Sequence, residues 1–278
     1  MISSDVAIHR VRRDLTLGML LKAALLGVVF VALFAKPSTR VPTLAGVVGV
    51  WFVLSLTSAR SSRLAMDSPA LIATGQFDEA ERQIDQAMRA FSPFGPAKLR
   101  ALHQLAMLRH AQQRWQDAAA LCRALLSHRL AGNRALSKPS SLILAGSLLE
   151  LNDLNGTYVA LRELYSQQLS LEEVLNVLAL QVDYEARIGA WQHMFAGAPT
   201  KVQLAELMPS EQAARLQGLL ALAALKCGRA DWADWLRRRA EILADVKTLT
   251  TARPMLSEIW KTEDQGLVNS VAAPAEAH

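Results

Sequence analysis

Two long apolar runs dominate the first sixty residues, and amphipathic helical patterns fill most of the remaining chain. Residues 15–35 form a run of 21 residues whose one charge is Lys22, and residues 41–59 form a second run of 19 residues. At about 1.5 Å per residue, each run is long enough to cross a hydrocarbon core of about 30 Å as a helix. The connecting residues KPSTR leave room only for a tight turn. The pattern predicts a transmembrane hairpin over 15–35 and 41–59.

A cleaved signal sequence and a buried hairpin of a soluble core are the competing interpretations of the first run. Its apolar length exceeds that of a signal sequence, Lys22 interrupts it, and a second apolar run follows at once. These features favour two membrane spans, with a cleaved signal sequence and a buried soluble hairpin as the alternatives.

Basic residues around the two runs predict which side of the membrane the chain occupies. Five of them lie at the outer ends of the hairpin and two lie in its turn: Arg10, Arg12, Arg13, Arg60 and Arg63, against Lys36 and Arg40. Basic residues accumulate on the cytoplasmic side of membrane proteins, so both termini are expected in the cytoplasm. On this interpretation residues 1–14 are a basic N-terminal tail.

The segment after the hairpin contains a recurring turn-and-helix pattern. GQFDEA begins at Gly75, QRWQDA at Gln113, NDLNGT at Asn152 and GRADWA at Gly228, at intervals of 38, 39 and 76 residues. Half of the last interval leaves room for a further unit near GAWQHM at Gly189. A period of about 38 residues indicates stacked helix–turn–helix units, each of which buries its apolar face only against a neighbour.

Equivalent positions of these units predict which residues are buried. A small residue follows each turn by five positions, and large or small apolar residues follow at helical spacing on the same face. The predicted buried set is Ala80, Ala118, Thr157, Ala233, Ile84, Cys122, Leu161, Ala87, Leu125 and Leu164, with Leu105–Ala106, Leu144–Ala145 and Leu220–Ala221 in the preceding helices.

These residues resemble the tetratricopeptide repeat. Gly75, Phe77 and Ala80 stand where that family has its turn glycine, its aromatic residue and its alanine, and Gln113, Trp115 and Ala118 repeat the pattern. The resemblance implies a protein-binding superhelix of helical hairpins. The chain departs from the family in its longer period, in Arg237 at an expected apolar position and in Pro199, which shortens the fourth unit.

The predicted fold is therefore all-α, with the transmembrane hairpin followed by an α-solenoid of tetratricopeptide-like repeats. The repeats occupy residues 60–246, a capping helix occupies 247–262, and residues 263–278 are expected to be a disordered tail because small residues dominate them. Repeat boundaries are least defined over 189–210.

Charge is distributed unevenly along the repeats. Residues 64–85 hold one basic residue against five acids, whereas residues 86–149 hold nine basic residues against Asp117. The candidate partner-binding patch in this basic block is Arg100, Arg109, Arg114, Arg123, Arg129 and Arg134. This block is either a solvated surface without a partner, or a binding surface for an acidic protein segment or for anionic lipid. Nucleic acid is not an expected partner because stacking aromatics are sparse there. The acids at 78–85 are also expected to contact the basic block.

The remaining candidate groups do not indicate a catalytic or metal-binding site. The sequence has no phosphate-binding glycine loop, HExxH, nucleophile elbow or CxxC. His103 and His110 lie seven residues apart, with His128 beyond them, but a metal site needs a closer trio, and Asp183 and Glu185 face different directions on a helix. We expect no enzyme activity, cofactor or metal.

Trp232 and Trp235 are the candidate interface aromatics, with packing against the capping helix as their alternative role. Trp235 and Arg239 lie four residues apart and are expected to stack. The predicted function is a membrane-anchored scaffold or adaptor that holds a protein partner at the cytoplasmic membrane face. The alternative is an integral structural or assembly subunit of a larger membrane complex.

Overall fold

The computed structural model describes residues 3–34, 37–64, 66–90, 92, 95–127 and 134–260, and these residues form helices and connecting turns without a β-strand. The α-helices are α1 (Ser4–Phe34), α2 (Pro37–Leu64), α3 (Ser68–Ala73), α4 (Phe77–Arg89), α5 (Gly95–Ala111), α6 (Trp115–Ser127), α7 (Arg134–Glu150), α8 (Leu154–Tyr165), α9 (Leu171–Arg187), α10 (Trp191–Phe195), α11 (Ala198–Ala205), α12 (Ser210–Lys226), α13 (Ala230–Leu243) and α14 (Val246–Ala252). The all-α part of the predicted fold is confirmed.

Helices α1 and α2 are long and apolar enough to cross a membrane. The α1 helix has 31 residues, and an apolar stretch of 20 residues lies within α2. Only 11% and 6% of their most apolar windows are buried inside the protein. Exposed side chains such as Leu20, Phe30 and Phe52, each more than 60% exposed, would be unfavourable in water over such a length. Both helices therefore meet the length and composition required of a membrane span.

The first helix begins well before its apolar run. Residues 4–14, expected to be a basic tail, form the first three turns of α1, and Ala7 and Val11 on one face are almost fully buried. That face packs into a cluster with Ala80 and Ile84 of α4 and with residues of α5. Local pattern alone did not predict this because the arginines at 10, 12 and 13 resemble the usual cytoplasmic flank of a membrane span.

Each predicted turn position has the same backbone geometry. The turn residues have φ between 59° and 76°, and the next helix begins two residues later: Gly75, Gln113, Asn152, Gly189 and Gly228. In every case the turn residue's N–H donates to the carbonyl three residues earlier and the following N–H to the carbonyl five residues earlier, at 2.8–3.2 Å. This is the Schellman arrangement, which satisfies the last carbonyls of a helix and reverses the chain.

The turns join consecutive helices into hairpins. The pairs that contact each other are α3 and α4, α5 and α6, α9 and α10, and α12 and α13, and the turn at Asn152 joins α7 to α8. The small residue five positions after the turn is buried in each predicted case, and Met194 occupies that position in the fourth hairpin. The other predicted face residues, including Cys122, Leu161 and Leu164, are buried as well. Stacking of these hairpins into one continuous solenoid stays a prediction.

The chain forms two compact units, Met1–Ala160 and Leu161–His278. The core of the first unit contains residues of α1, α4, α5, α6 and α7. The core of the second is built around α12, which packs against α9, α10, α11, α13 and the end of the described chain.

The fourth hairpin is short for a local reason. The α10 helix ends at Phe195, Gly197 follows with φ 67°, and Pro199 lies in the first turn of α11. Proline is accepted there because a first-turn N–H has no partner within the helix. Pro199 thus starts a new helix after a break that Gly197 makes possible.

A capping segment closes the core of the second unit. The predicted helix over 247–262 consists of α14, a 3-10 turn at Pro254–Leu256 and a helical turn at 257–260. Leu249, Leu256 and Ile259 are buried in the core around α12. The tail predicted over 263–278 lies outside the described residues.

Candidate interaction surfaces and buried polar contacts

The structure places Arg109 inside the first unit, not on the surface that the sequence predicts. Its side chain is fully buried, and its guanidinium binds both carboxylate oxygens of Glu81 at 2.9 and 3.3 Å. The same group donates to Gln112 Oε1 at 2.7 Å. Arg109 is therefore a structural residue that joins α5 to α4. The expected contact between the acids at 78–85 and the basic block includes this ion pair and the pair of Asp85 with Arg89 at 2.7 Å.

The remaining patch residues occupy different environments. Arg114 pairs with Asp117 at 2.6 Å and has a side chain 36% exposed, whereas Arg123 lies 3.5 Å from Asp153 and is 59% exposed. Arg100 is exposed on α5. Arg129 and the side chain of Arg134 lie outside the described residues. The exposed part of the described patch is thus carried by Arg100, Arg114 and Arg123.

A buried ion pair joins the first helix to the repeats. Lys98 Nζ lies 2.8 Å from Asp14 Oδ2, and both side chains are at least nine-tenths buried. Lys98 also donates to the Met88 carbonyl oxygen at 2.6 Å. Nearer the start of α1, Ser4 donates to Asp117 at 2.8 Å and Arg10 lies 3.5 Å from Asp85. These contacts fix α1 against α4, α5 and α6 along its first eleven residues.

The two histidines of α5 contact serines of α7 in a repeated arrangement. His103 Nδ1 lies 3.1 Å from Ser140 Oγ, and His110 Nδ1 lies 3.0 Å from Ser147 Oγ, so both pairs are 37 residues apart. Burial lowers the pKa of His103 to about 4 and also lowers that of His110. Both imidazoles therefore act as neutral hydrogen-bonding groups between neighbouring hairpins. His128, the third candidate ligand, lies outside the described residues.

The burial of His103 predicts a loss of stability in weak acid. As the pH falls, the unfolded chain binds the proton at about pH 6.5, whereas the folded chain does so only near pH 4, so the free energy of unfolding decreases between these values. The contribution of this one group is about 3 kcal/mol at most. Chemical unfolding measured from pH 7 to pH 4 should show a smaller decline for His103→Gln than for the wild type. An identical decline in both would contradict the assignment.

A second polar cluster lies inside the second unit. Asp183 accepts from Arg253 at 2.5 and 2.8 Å, so the C-terminal segment is tied to α9. Glu185 accepts at one oxygen from Gln181 at 2.6 Å and lies 2.8 Å from His193 Nδ1, while Lys201 is 3.8 Å from its other oxygen. The two acids bind different partners, as expected from their spacing.

The electrostatics of this cluster follow from burial. Desolvation lowers the pKa of Lys201, although the Glu185 carboxylate opposes the change. Desolvation raises the pKa of Tyr165, and Glu185 raises it further. Lys201 also donates to the Met194 carbonyl oxygen at 2.7 Å. The cluster therefore connects α9, α10 and α11.

The two candidate interface tryptophans differ in exposure. Trp232 is half-buried and makes edge-to-face contacts with Phe195 at 5.8 Å and with Trp235 at 5.4 Å between ring centroids. Trp235 is 44% exposed, and the predicted stacking partner Arg239 lies 5.0 Å from its ring centroid. Arg239 also binds Glu206 at 2.7 Å. Trp232 thus contributes to packing, and Trp235 presents an aromatic surface to solvent.

No metal-binding group of histidine, cysteine or carboxylate side chains occurs in the part of the chain that the structure describes. Comparisons with protein-family models, curated proteins and solved structures gave no match. What the fold establishes is an all-helical protein with two helices long and apolar enough to span a membrane. Its resemblance to tetratricopeptide repeats stays a prediction.

Proposed function

We propose that the chain is a membrane-anchored, non-catalytic scaffold or adaptor that holds a protein partner at the cytoplasmic face of a membrane. The observation that carries this proposal is the recurrence of one helical hairpin with one turn geometry, at positions 75, 113, 152, 189 and 228. Proteins built from stacked helical hairpins present extended surfaces to which peptides or helices bind. A membrane anchor raises the effective concentration of such a partner near the bilayer.

The way the first helix meets the repeats supports a holding role. Ala7 and Val11 belong to the core of the first unit, and Asp14 pairs with Lys98 inside it. A flexible linker would let the repeat domain tumble beside the bilayer, whereas a helix buried in its core gives that domain a fixed orientation. A repeat domain that is fixed relative to its anchor holds a bound protein partner in a constant orientation at the membrane.

The buried charged groups support a non-catalytic role. Arg109, Lys98 and Asp183 each bind an oppositely charged group on another helix or segment, and each is at least nine-tenths buried. A catalytic acid or base must reach substrate at some point of its cycle. Partner binding should instead be sought at Arg123 and Trp235, which are exposed, and at Arg114, which is partly exposed.

A second candidate function is an integral subunit of a larger membrane complex. Gly27, Gly46 and Gly49 lie in the apolar segments, and apart from the adjoining backbone of the same helix, no heavy atom of the described residues would lie within 4 Å of a side-chain carbon added at any of them. Small residues on an uncovered face let another helix approach closely in lipid. In this case the two apolar helices themselves would be the binding surface.

An anchor exchange separates the two functions. Removing residues 1–60 would expose the core that Ala7 and Val11 fill, so the test should keep residues 1–14 and 60–278 and replace 15–59 by an unrelated hairpin of equal length. For a scaffold, crosslinked partners purified in mild detergent should be the same for both proteins. Selective loss of these partners after the exchange would favour the integral subunit and contradict the scaffold.

The control for this experiment is the fold and sidedness of the exchanged protein. Its thermal unfolding and the accessibility of a C-terminal reporter should match those of the parent chain. A reporter that is active only outside the cytoplasm in both proteins would contradict the proposed orientation.

A further inference from the structure

Contacts between the anchor and the first unit define where the bilayer surface lies on the repeats. Leu15 is the first residue of the apolar run of α1, and its Cδ2 would lie 3.0 Å from a side-chain carbon added at Gly95. Near the end of the second run, Ser58 Oγ lies 2.8 Å from Ser92 Oγ. Both anchor helices thus meet the described residues at the connection between α4 and α5, Ser92 and Gly95, where their apolar runs end. That connection would lie at headgroup level in an inserted protein.

Exposed arginines cluster at the same level. Arg89 is the last residue of α4, three residues before Ser92. Arg100 lies five residues after Gly95 in α5, which corresponds to about 8 Å of helical rise. Arg13 precedes Leu15 by two residues, and Arg63 follows Ser58 by five. All four are exposed, with Arg13 and Arg89 each at 69% of their side-chain surface. We call Arg13, Arg63, Arg89 and Arg100 the arginine collar.

Few acidic groups offset the charge of the collar. Residues 15–66 and 86–116 contain no Asp or Glu. Asp14 is buried against Lys98 and also lies 3.6 Å from Arg13 of the collar. Asp85, which is 21% exposed, lies 2.7 Å from Arg89 and 3.5 Å from Arg10, so two acids face the six basic groups named here. The solvent-facing charge at this level is therefore positive. Charges this close to a membrane lie within about one Debye length of its surface at physiological salt.

We propose that the arginine collar binds the phosphate groups of anionic lipids in the leaflet through which the anchor enters. This inference rests on the membrane insertion contained in the proposed function. Guanidinium groups bind phosphate through paired hydrogen bonds, and each basic residue near an anionic surface contributes a favourable interaction. A folded protein partner would meet the bilayer itself at this level, so a lipid headgroup is the occupant that fits.

The test compares two matched double variants in lipid nanodiscs. Full-length chain would be reconstituted with phosphatidylcholine and phosphatidylglycerol in a 7:3 ratio, and the lipids that remain bound would be counted by native mass spectrometry. Arg89→Gln with Arg100→Gln should reduce the preference for phosphatidylglycerol about fivefold or more. Arg82→Gln with Arg114→Gln should retain it, because those residues lie farther from the connection on neighbouring helical segments.

Other outcomes of this experiment overturn the inference in distinct ways. An unchanged lipid preference in Arg89→Gln with Arg100→Gln, or an equal loss in the control, would show that the collar does not select lipid. Loss of binding to an acidic polyglutamate probe with unchanged lipid preference would assign the collar to a protein partner. Membrane insertion is checked separately by resistance to alkaline carbonate extraction, whose failure would contradict the anchor and not the collar alone.

Discussion

Replacing Lys98 by methionine is expected to release the first three turns of α1 from the repeat domain. The substitution removes the buried counter-charge of Asp14, which lies 2.8 Å away in the native protein, and leaves that carboxylate with the largely exposed Arg13 at 3.6 Å. Removing one partner of a buried ion pair typically costs about 3–5 kcal/mol. The free energy of unfolding should fall by that order. Hydrogen exchange of residues 4–14 should accelerate more than that of α5, because the pair holds this part of the anchor helix in place.

A double variant distinguishes loss of the charge pair from loss of packing. Asp14→Leu with Lys98→Met replaces both charges by apolar groups, and such replacements are often neutral or stabilising. It should recover most of the lost stability and the slow exchange of residues 4–14. Arg89→Gln is the matched control, since Arg89 is 69% exposed and Asp85 would keep Arg10 as a second partner, so the change should cost less than about 1 kcal/mol. Equal stability of Lys98→Met and this control would contradict the proposed role of the pair.

If this result is obtained, the anchor acts as a structural part of the repeat domain. Ala7, Val11 and Asp14 recur at helical spacing on one face, and that face is the buried one. This spacing is visible in the sequence. The arginines at positions 10, 12 and 13, which lie between these residues, made the segment resemble an ordinary basic flank of a membrane span. A basic segment before an apolar run has the same appearance whether it is a free flank or a docked helix.

The turns were more predictable than the contacts between helices. Glycine at 75, 189 and 228 adopts a positive φ without steric cost, so its spacing marks the turns directly. Gln113 and Asn152 adopt the same geometry, each with φ 59°, although glutamine is not a usual left-handed residue. They were identified by the motif that they share with Gly75, and their intervals of 38 and 39 residues defined the period that then indicated a turn near Gly189. A repeated spacing thus carries information that a single residue does not.

The exposed residues of the candidate surface were harder to predict, because they depend on ion pairs between residues far apart in the sequence. Charge segregation predicted that the acids at 78–85 contact the basic block, but it did not indicate which arginine would be buried in an ion pair. Arg109 pairs with Glu81, 28 residues away, because both lie on the facing sides of α4 and α5. The stacking of Arg239 on Trp235 was predictable because those residues are one helical turn apart. Local spacing gives contacts within a helix, whereas contacts between helices depend on how they are rotated.

Replacing Arg109 by methionine should destabilise the first unit strongly, without reporting on partner binding. Glu81, whose side chain is only 12% exposed, would lose its buried counter-charge, and Gln112 would lose its guanidinium donor. The expected loss is about 3–5 kcal/mol in the free energy of unfolding. Arg109→Lys should be less destabilising, although an ammonium group cannot reproduce the paired hydrogen bonds to Glu81.

The control for Arg109 is a neighbouring arginine of the same predicted patch. Arg114 pairs with Asp117 within one helical turn at a site about one-third exposed, so Arg114→Met should cost less than about 1 kcal/mol. Chemical unfolding of the three variants in detergent would give the order Arg114→Met, Arg109→Lys, Arg109→Met from least to most destabilised. If Arg109→Met were as stable as Arg114→Met, the buried pair would not hold α4 to α5. With the expected order, charge reversal at Arg114 and Arg123 becomes the appropriate test of partner capture, because changes at Arg109 would act through unfolding.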